Sequence, residues 1–315
     1  MRKFFLVFLA FVCMVTLIAS PSQAKDSQYR IGVVLKALDS DFWLSVKRGA
    51  EAADKKYDNA EVIILAADRE INVQQQVQIV EDLITQGVDA LCIAPSGSQE
   101  LIPTFEKAYQ AGIPVLLIDT DAPWDKKACF VGTDNYQGGT VAGSFIAQSL
   151  NGKGKVALIT GIMGHQTHMD RVKGAEDVFA KFPDIKIVAK QPANSERALG
   201  MQVMENILTS NPDLDAVFCT NDEMALGALQ AAEAAGKKII IVGFDANKDA
   251  LESIIDNGLT ATIAQNPFAM GLYGVENAIK LLNGEEIPKK VDTGTTLVTI
   301  DNAEEFLKQK EELSL

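Results

Sequence analysis

Short β-branched runs alternate with segments of helical period almost without interruption from Ile31 onward, and a βα alternation sustained over that length admits few folds. Strands are predicted over 31–36, 61–66, 89–93, 114–118, 129–131, 155–160, 185–190, 215–219, 239–242 and 260–264. Several are apolar throughout, as parallel strands covered on both faces must be. Between them, Trp43, Val46, Ala50, Ala53 and Tyr57 make one helical stripe, and Val73, Val77, Val80 and Ile84 make another. Gly87 and Gly112 fall just past helical segments, where a left-handed stop is easiest without a Cβ. The expected fold is α/β and doubly wound.

The βα order runs four times, passes a looser stretch over 120–127, and resumes with similar spacing. Two similar parallel-sheet lobes explain this better than one sheet of ten or more strands. The first 24 residues stand apart. Arg2 and Lys3 precede an uncharged apolar run from Phe4 to Ala19, and Ser22-Gln23-Ala24 supplies the small residues a signal peptidase reads. The run is shorter than the roughly 20 residues of a spanning helix, so cleavage after Ala24 is expected, with an exported, periplasmic product. Cys13 lies inside the run behind bulky Phe11 and Val12, which argues against lipid attachment. Losing Arg2 and Lys3 takes the net charge from −13 to −15, a poor match for nucleic acid. Cys92, Cys129 and Cys219 sit in apolar segments without paired spacing and read as buried small hydrophobes.

Ligands of an open parallel sheet gather outside the carboxyl ends of its strands. Those ends are unusually polar here: VVLKALDSDFW, CIAPSGS, LIDTD, ITGIMGHQTH, FCTND and VGFDAN. Asp119, Asn221 and Asp245 recur at equivalent places in different βα units. Any one of them could simply cap the following helix. Together with Phe42 and Trp43 they suggest a shared polar cleft. Planar carboxylates and amides match vicinal hydroxyls, while an aromatic face covers the apolar side of a sugar or polyol.

With those residues in view, the chain from Tyr29 to about Ile300 resembles the periplasmic sugar-binding proteins of the ribose, allose and galactose group. The carriers are VVLKALDSDFW, LIDTD, VGTDNYQGG, FCTNDEMALGAL, VGFDAN and ATIAQNP. The resemblance implies two lobes joined by a three-segment hinge, with crossings near 133–134, 265–266 and 291–292. Residues 25–133 plus 266–291 would form one lobe, and 134–265 plus 292–315 the other. It implies that Asp119, Asn221, Asp245 and Gln265 bind sugar hydroxyls, flanked by Phe42 and Trp43, with Lys36 a further donor. Thr120, His168 and Arg171 complete the expected set. Thr120 stands where ribose binders carry Arg, Met169 replaces another ligand-contacting Arg, and no aromatic lies near Ser195, so ribose itself fits the pattern poorly. A monomer without cofactor is implied, delivering its ligand to an inner-membrane ABC transporter. A chemoreceptor or sensor kinase is the alternative partner.

Rival readings find less support. His165 and His168 could serve zinc, but a third ligand has no local signature, and the pair reads as polar loop residues. No Gly-Xaa-Ser-Xaa-Gly elbow occurs, and the Gly-Lys-Gly-Lys of 152–155 lacks a full phosphate-loop pattern. Asp119 and Asp245 could be paired carboxylates of a glycosidase, but a binding role needs no raised pKa. A DNA-binding regulator needs a basic helix-turn-helix before Ile31, where the apolar leader stands instead.

Overall fold

The computed structural model describes residues 28–314. The expected leader and cleavage point, over residues 1–24, lie outside them. Two six-stranded sheets account for every strand among the described residues, and they share one strand order. The first contains β1 (Tyr29–Leu35), β2 (Ala60–Ala66), β3 (Ala90–Ile93), β4 (Val115–Ile118), β5 (Cys129–Gly132) and β11 (Lys290–Asp292), arranged β2-β1-β3-β4-β5-β11. The second contains β6 (Lys153–Thr160), β7 (Asp184–Pro192), β8 (Ala216–Cys219), β9 (Ile240–Asp245), β10 (Ala261–Ala264) and β12 (Thr296–Val298), arranged β7-β6-β8-β9-β10-β12. All pairings are parallel except β10 with β12.

Strand periodicity sorts side chains onto two layers per sheet. In β1, Ile31, Val33 and Leu35 pack beneath α1 (Asp41–Lys56) and α9 (Pro267–Leu282), whereas Val34 faces Val80 and Leu83 of α2 (Val73–Thr85) and Phe105 of α3 (Ile102–Gln110). In β6, Val156 and Leu158 pack under α4 (Asn135–Ser149) and α5 (Gln166–Phe179). Ala157 and Ile159 face the other layer, α6 (Arg197–Ser210), α7 (Asp222–Ala234) and α8 (Lys248–Ile255). These strands are apolar on both faces because both faces are covered. Cys92, Cys129 and Cys219 are free and buried within these layers.

Reciprocal glycines let helix pairs approach closely. A Cβ on Gly49 of α1 would stand 1.9 Å from the Phe268 carbonyl of α9, and one on Gly271 would stand 2.0 Å from that of Val46. The chain passes between the sheets after β5, after β10 and after β11, so α9 packs on the first sheet and α4 on the second. β11 and β12 were not anticipated. Each has only three residues with polar members, too short for a periodic signal. The acidic C-terminal segment forms α10 (Ala303–Ser314), which packs on α8.

Candidate functional site

The carboxyl ends of both sheets face one cavity of about 380 Å³. Its walls hold Lys36, Phe42, Trp43 and Asp119 from the first lobe. From the second come His168, Arg171, Asn221 and Asp245, with Gln265 at the passage after β10. Thr120 departs from the expected set. Its hydroxyl donates to Asp119 Oδ2 at 2.6 Å, so it orients the carboxylate from behind and does not line the cavity.

Asp119 and Asp245 follow or end the fourth strand of their respective lobes, and both have positive φ, 60° and 117°. A non-glycine residue there is strained, a feature that concentrates at functional sites. Each carboxylate has a buried cation. Lys36 Nζ lies 3.2 Å from Asp119 Oδ2. Arg171 Nη1 lies 3.6 Å from Asp245 Oδ1, which also accepts from Gln265 Nε2 at 2.6 Å. Arg171 is held mainly elsewhere: it donates to Asn135 Oδ1 and to the Thr220 carbonyl, both at 2.8 Å, and stacks 3.8 Å from the Phe244 ring centroid. Burial pushes the Asp245 carboxyl up to about 7, with Arg171 and Gln265 opposing that rise. Behind it, buried Asp222 accepts from Thr262 and from the Asn247 backbone, and burial raises its carboxyl well above the usual range.

Asn221 both caps a helix and lines the cavity. Its Oδ1 accepts from the Met224 backbone at the start of α7, while Nδ2 donates to the Ser195 carbonyl at 3.4 Å and keeps a second N–H. Trp43 likewise serves two ends. It is 3 % exposed, packs in the core with Val46 and Ala50, meets Phe42 edge-on at 5.0 Å, and donates from Nε1 to Glu70 Oε1 at 2.7 Å. His168 is wedged against Gly161, where a Cβ would stand 2.2 Å from its Nε2. Its ring nitrogens meet Thr220 Oγ1 at 2.9 Å and Ser195 Oγ at 3.1 Å. Burial pushes His168 well below its ordinary range and His165 down to about 3, so both rings are neutral.

Several groups escaped sequence reasoning. Glu70 and Arg69 follow β2, and Arg69 pairs across the cleft with Glu196 of the second lobe. Arg197 forks onto Glu223 at 2.9 and 3.1 Å. Gln76 of α2, fully buried, donates to the Leu35 and Ala94 carbonyls and accepts from Ser96 N. It thereby ties the loop bearing Lys36 to the loop after β3. A Gln within a polar stretch of α2 reads as solvent-facing until the fold turns it inward.

Two matched lobes closing on a cavity of buried, paired charges and aromatic rings define a binding protein. The family model for the periplasmic binding protein domain matches residues 31–286, and the chain belongs to that family. It is similar to the ribose import binding protein of Bacillus subtilis (strain 168), 39 % identical over 282 residues that cover 89 % of this chain and 91 % of the relative. A solute-binding protein from Bacillus halodurans C-125 with bound myo-inositol superposes with a TM-score of 0.86 at 30 % identity, covering 91 % of this chain and 99 % of that one. The fructose-binding periplasmic domain of a hybrid two-component system does so with a TM-score of 0.86 at 33 % identity, over 91 % and 96 % of the two chains.

Proposed function

We propose that this chain captures a neutral monosaccharide or cyclic polyol between its lobes and presents it, unchanged, to an inner-membrane ABC transporter. The observation that carries the reading is the pair Asp119 and Asp245, at matching positions of the two lobes, facing one cavity. Lys36–Asp119, Arg171–Asp245, Arg69–Glu196 and Arg197–Glu223 are already paired, which favours an uncharged polyhydroxyl ligand over an ionic one. Gln265 Oε1 and Asn247 Oδ1, on residues of the cavity wall, lack protein partners, and buried acceptors of that kind are ordinarily met by a donor. The ligands of those relatives, ribose, myo-inositol and fructose, belong to the same chemical class.

In this reading 25–133 plus 266–291 move against 134–265 plus 292–315 about the three crossings, the mature chain starts at Lys25 and is periplasmic, and the protein works as a monomer. No helix among the described residues is long and apolar enough to cross a membrane. A sensing role beside transport is the second reading, favoured by the likeness to the two-component domain.

A thermal-shift screen over pentoses, hexoses, inositols and linear polyols tests the proposal. A ligand at one hundred times its Kd stabilises the folded form by about 2.7 kcal/mol. Mass spectrometry after prolonged incubation should recover that ligand unchanged, whereas conversion that copurifies with the protein overturns the binding assignment. Intact mass of the exported protein checks the start at Lys25.

A further inference from the structure

One buried group has no use in sugar capture. His165, at the N-cap of α5, is 4 % exposed, and its Nδ1 has no hydrogen-bond partner. Its ring lies 6.1 Å from that of His168, with only 18° between the planes. Glu70 approaches the two from the opposite lobe. One ligand atom from each of Glu70, His165 and His168 lies within 4.8 Å of the others.

Two imidazole nitrogens and a carboxylate oxygen are the donor set of a borderline divalent cation such as Zn²⁺, whose bonds to them run about 2.0–2.2 Å. The donors need to draw in by only about an ångström to meet one ion at those distances. Supporting contacts are in place. Trp43 Nε1 holds one Glu70 oxygen, Thr220 Oγ1 fixes His168 Nδ1, and the backbone of Ser96 engages His165, while Ser195 Oγ, 3.1 Å from His168 Nε2, would yield that nitrogen to the ion. Outer contacts of this sort set ligand orientation in metal sites. The nearby cations Lys36 and Arg171 would repel an ion, but each faces a carboxylate, Asp119 and Asp245.

We propose that Glu70, His165 and His168 form a site for a divalent transition-metal cation, and that the ion ties the first lobe to the second. Glu70 and His168 both line the cavity, so the ion's remaining position opens toward the ligand. The site goes beyond sugar capture and would hold the lobes together without a sugar.

The test uses the mature full-length protein, stripped with a chelator and titrated with ZnCl₂ by calorimetry, with melting curves in parallel. Wild type should take up one zinc per chain and melt at a higher temperature. Glu70→Gln and His165→Ala should each weaken uptake about 10-fold or more, at least what loss of an outer contact costs a metal site. Glu70→Gln keeps the side-chain shape and decides the matter if His165→Ala does not fold. No uptake by wild type, or uptake unchanged in Glu70→Gln, overturns the site. Sugar titrations of the zinc-free protein report on ligand capture alone, so the two proposals fail separately.

Discussion

The two lobes meet the cavity with the same strand order and the same carboxylate position, yet they hold that carboxylate differently. In the first lobe, Lys36 and Asp119 form a direct pair at 3.2 Å, backed by the Thr120 hydroxyl. In the second, Arg171 spends its strongest contacts on Asn135, Thr220 and Phe244 and reaches Asp245 only at 3.6 Å. The first arrangement is a closed pair. The second is a carboxylate whose pKa burial pushes up to about 7 against the pull of a more distant guanidinium. A shared fold therefore supplies matching positions, while local partners decide how each carboxylate answers substitution.

The largest expected consequence is in stability without ligand. Asp119→Ala strands a buried ammonium and should cost about 3–5 kcal/mol, as breaking buried pairs does. Asp245→Ala leaves Arg171 with its other partners and should cost less, about 1–3 kcal/mol. Urea unfolding of both variants checks the order, and equal losses would erase the contrast between the lobes.

Next in size is the wedge under His168. Gly161→Ala pushes a methyl into the imidazole and should cost about 1–3 kcal/mol of stability, as overpacking does. Ligand affinity should fall with it. A variant with wild-type melting and affinity would show that the ring has room to move.

The pH response of the second lobe combines two opposite signs. An unfolded Asp ionises near 3.9, whereas Asp245 in the folded chain does so near 7, so between those values the native state holds the extra proton. Its contribution to stability is therefore lost as pH rises from about 4 to about 7. Asp222 acts in the same direction. His165 and His168 act oppositely, since the unfolded chain takes up their protons below about 6.5 while the folded chain does not. Asp245→Asn should thus flatten the decline from pH 4 to 7 in a series of denaturant melts. An unchanged slope would remove Asp245 as its source.

The smallest effect belongs to Trp43. Trp43→Phe removes the N–H that Glu70 accepts and should cost about 0.5–1.5 kcal/mol. Its fluorescence should respond to ligand. Trp124, buried against Phe105 and bonded to Glu106, lies away from the cavity and should stay silent. A ligand signal that survives Trp43→Phe and vanishes in Trp124→Phe would move the cleft.

Much of this architecture was legible because a βα repeat writes its period into the chain, and because polar residues just past apolar strands mark the sheet edge. Asp119 and Asp245 are found that way. Asn221 was open to two readings, helix cap or cleft residue, and the structure realises both with different atoms of one amide. Glu70 was not legible. It follows an edge strand as one acid among many, and its neighbours across the cleft, His165 and His168, are almost a hundred residues away in sequence. Gln76 was missed for a related reason, since its burial depends on loops brought over it by other elements.

The central claim is that one ligand is held from both lobes at once. Calorimetric titration of Asp119→Ala and Asp245→Ala with the sugar or polyol that stabilises the wild type tests it most directly. Truncating one partner of a buried charge pair at a binding site costs about 2–5 kcal/mol, so each variant should bind at least tenfold more weakly. Near-wild-type affinity in either variant would mean that the ligand rests on one lobe alone, and in both it would place the ligand outside this cavity.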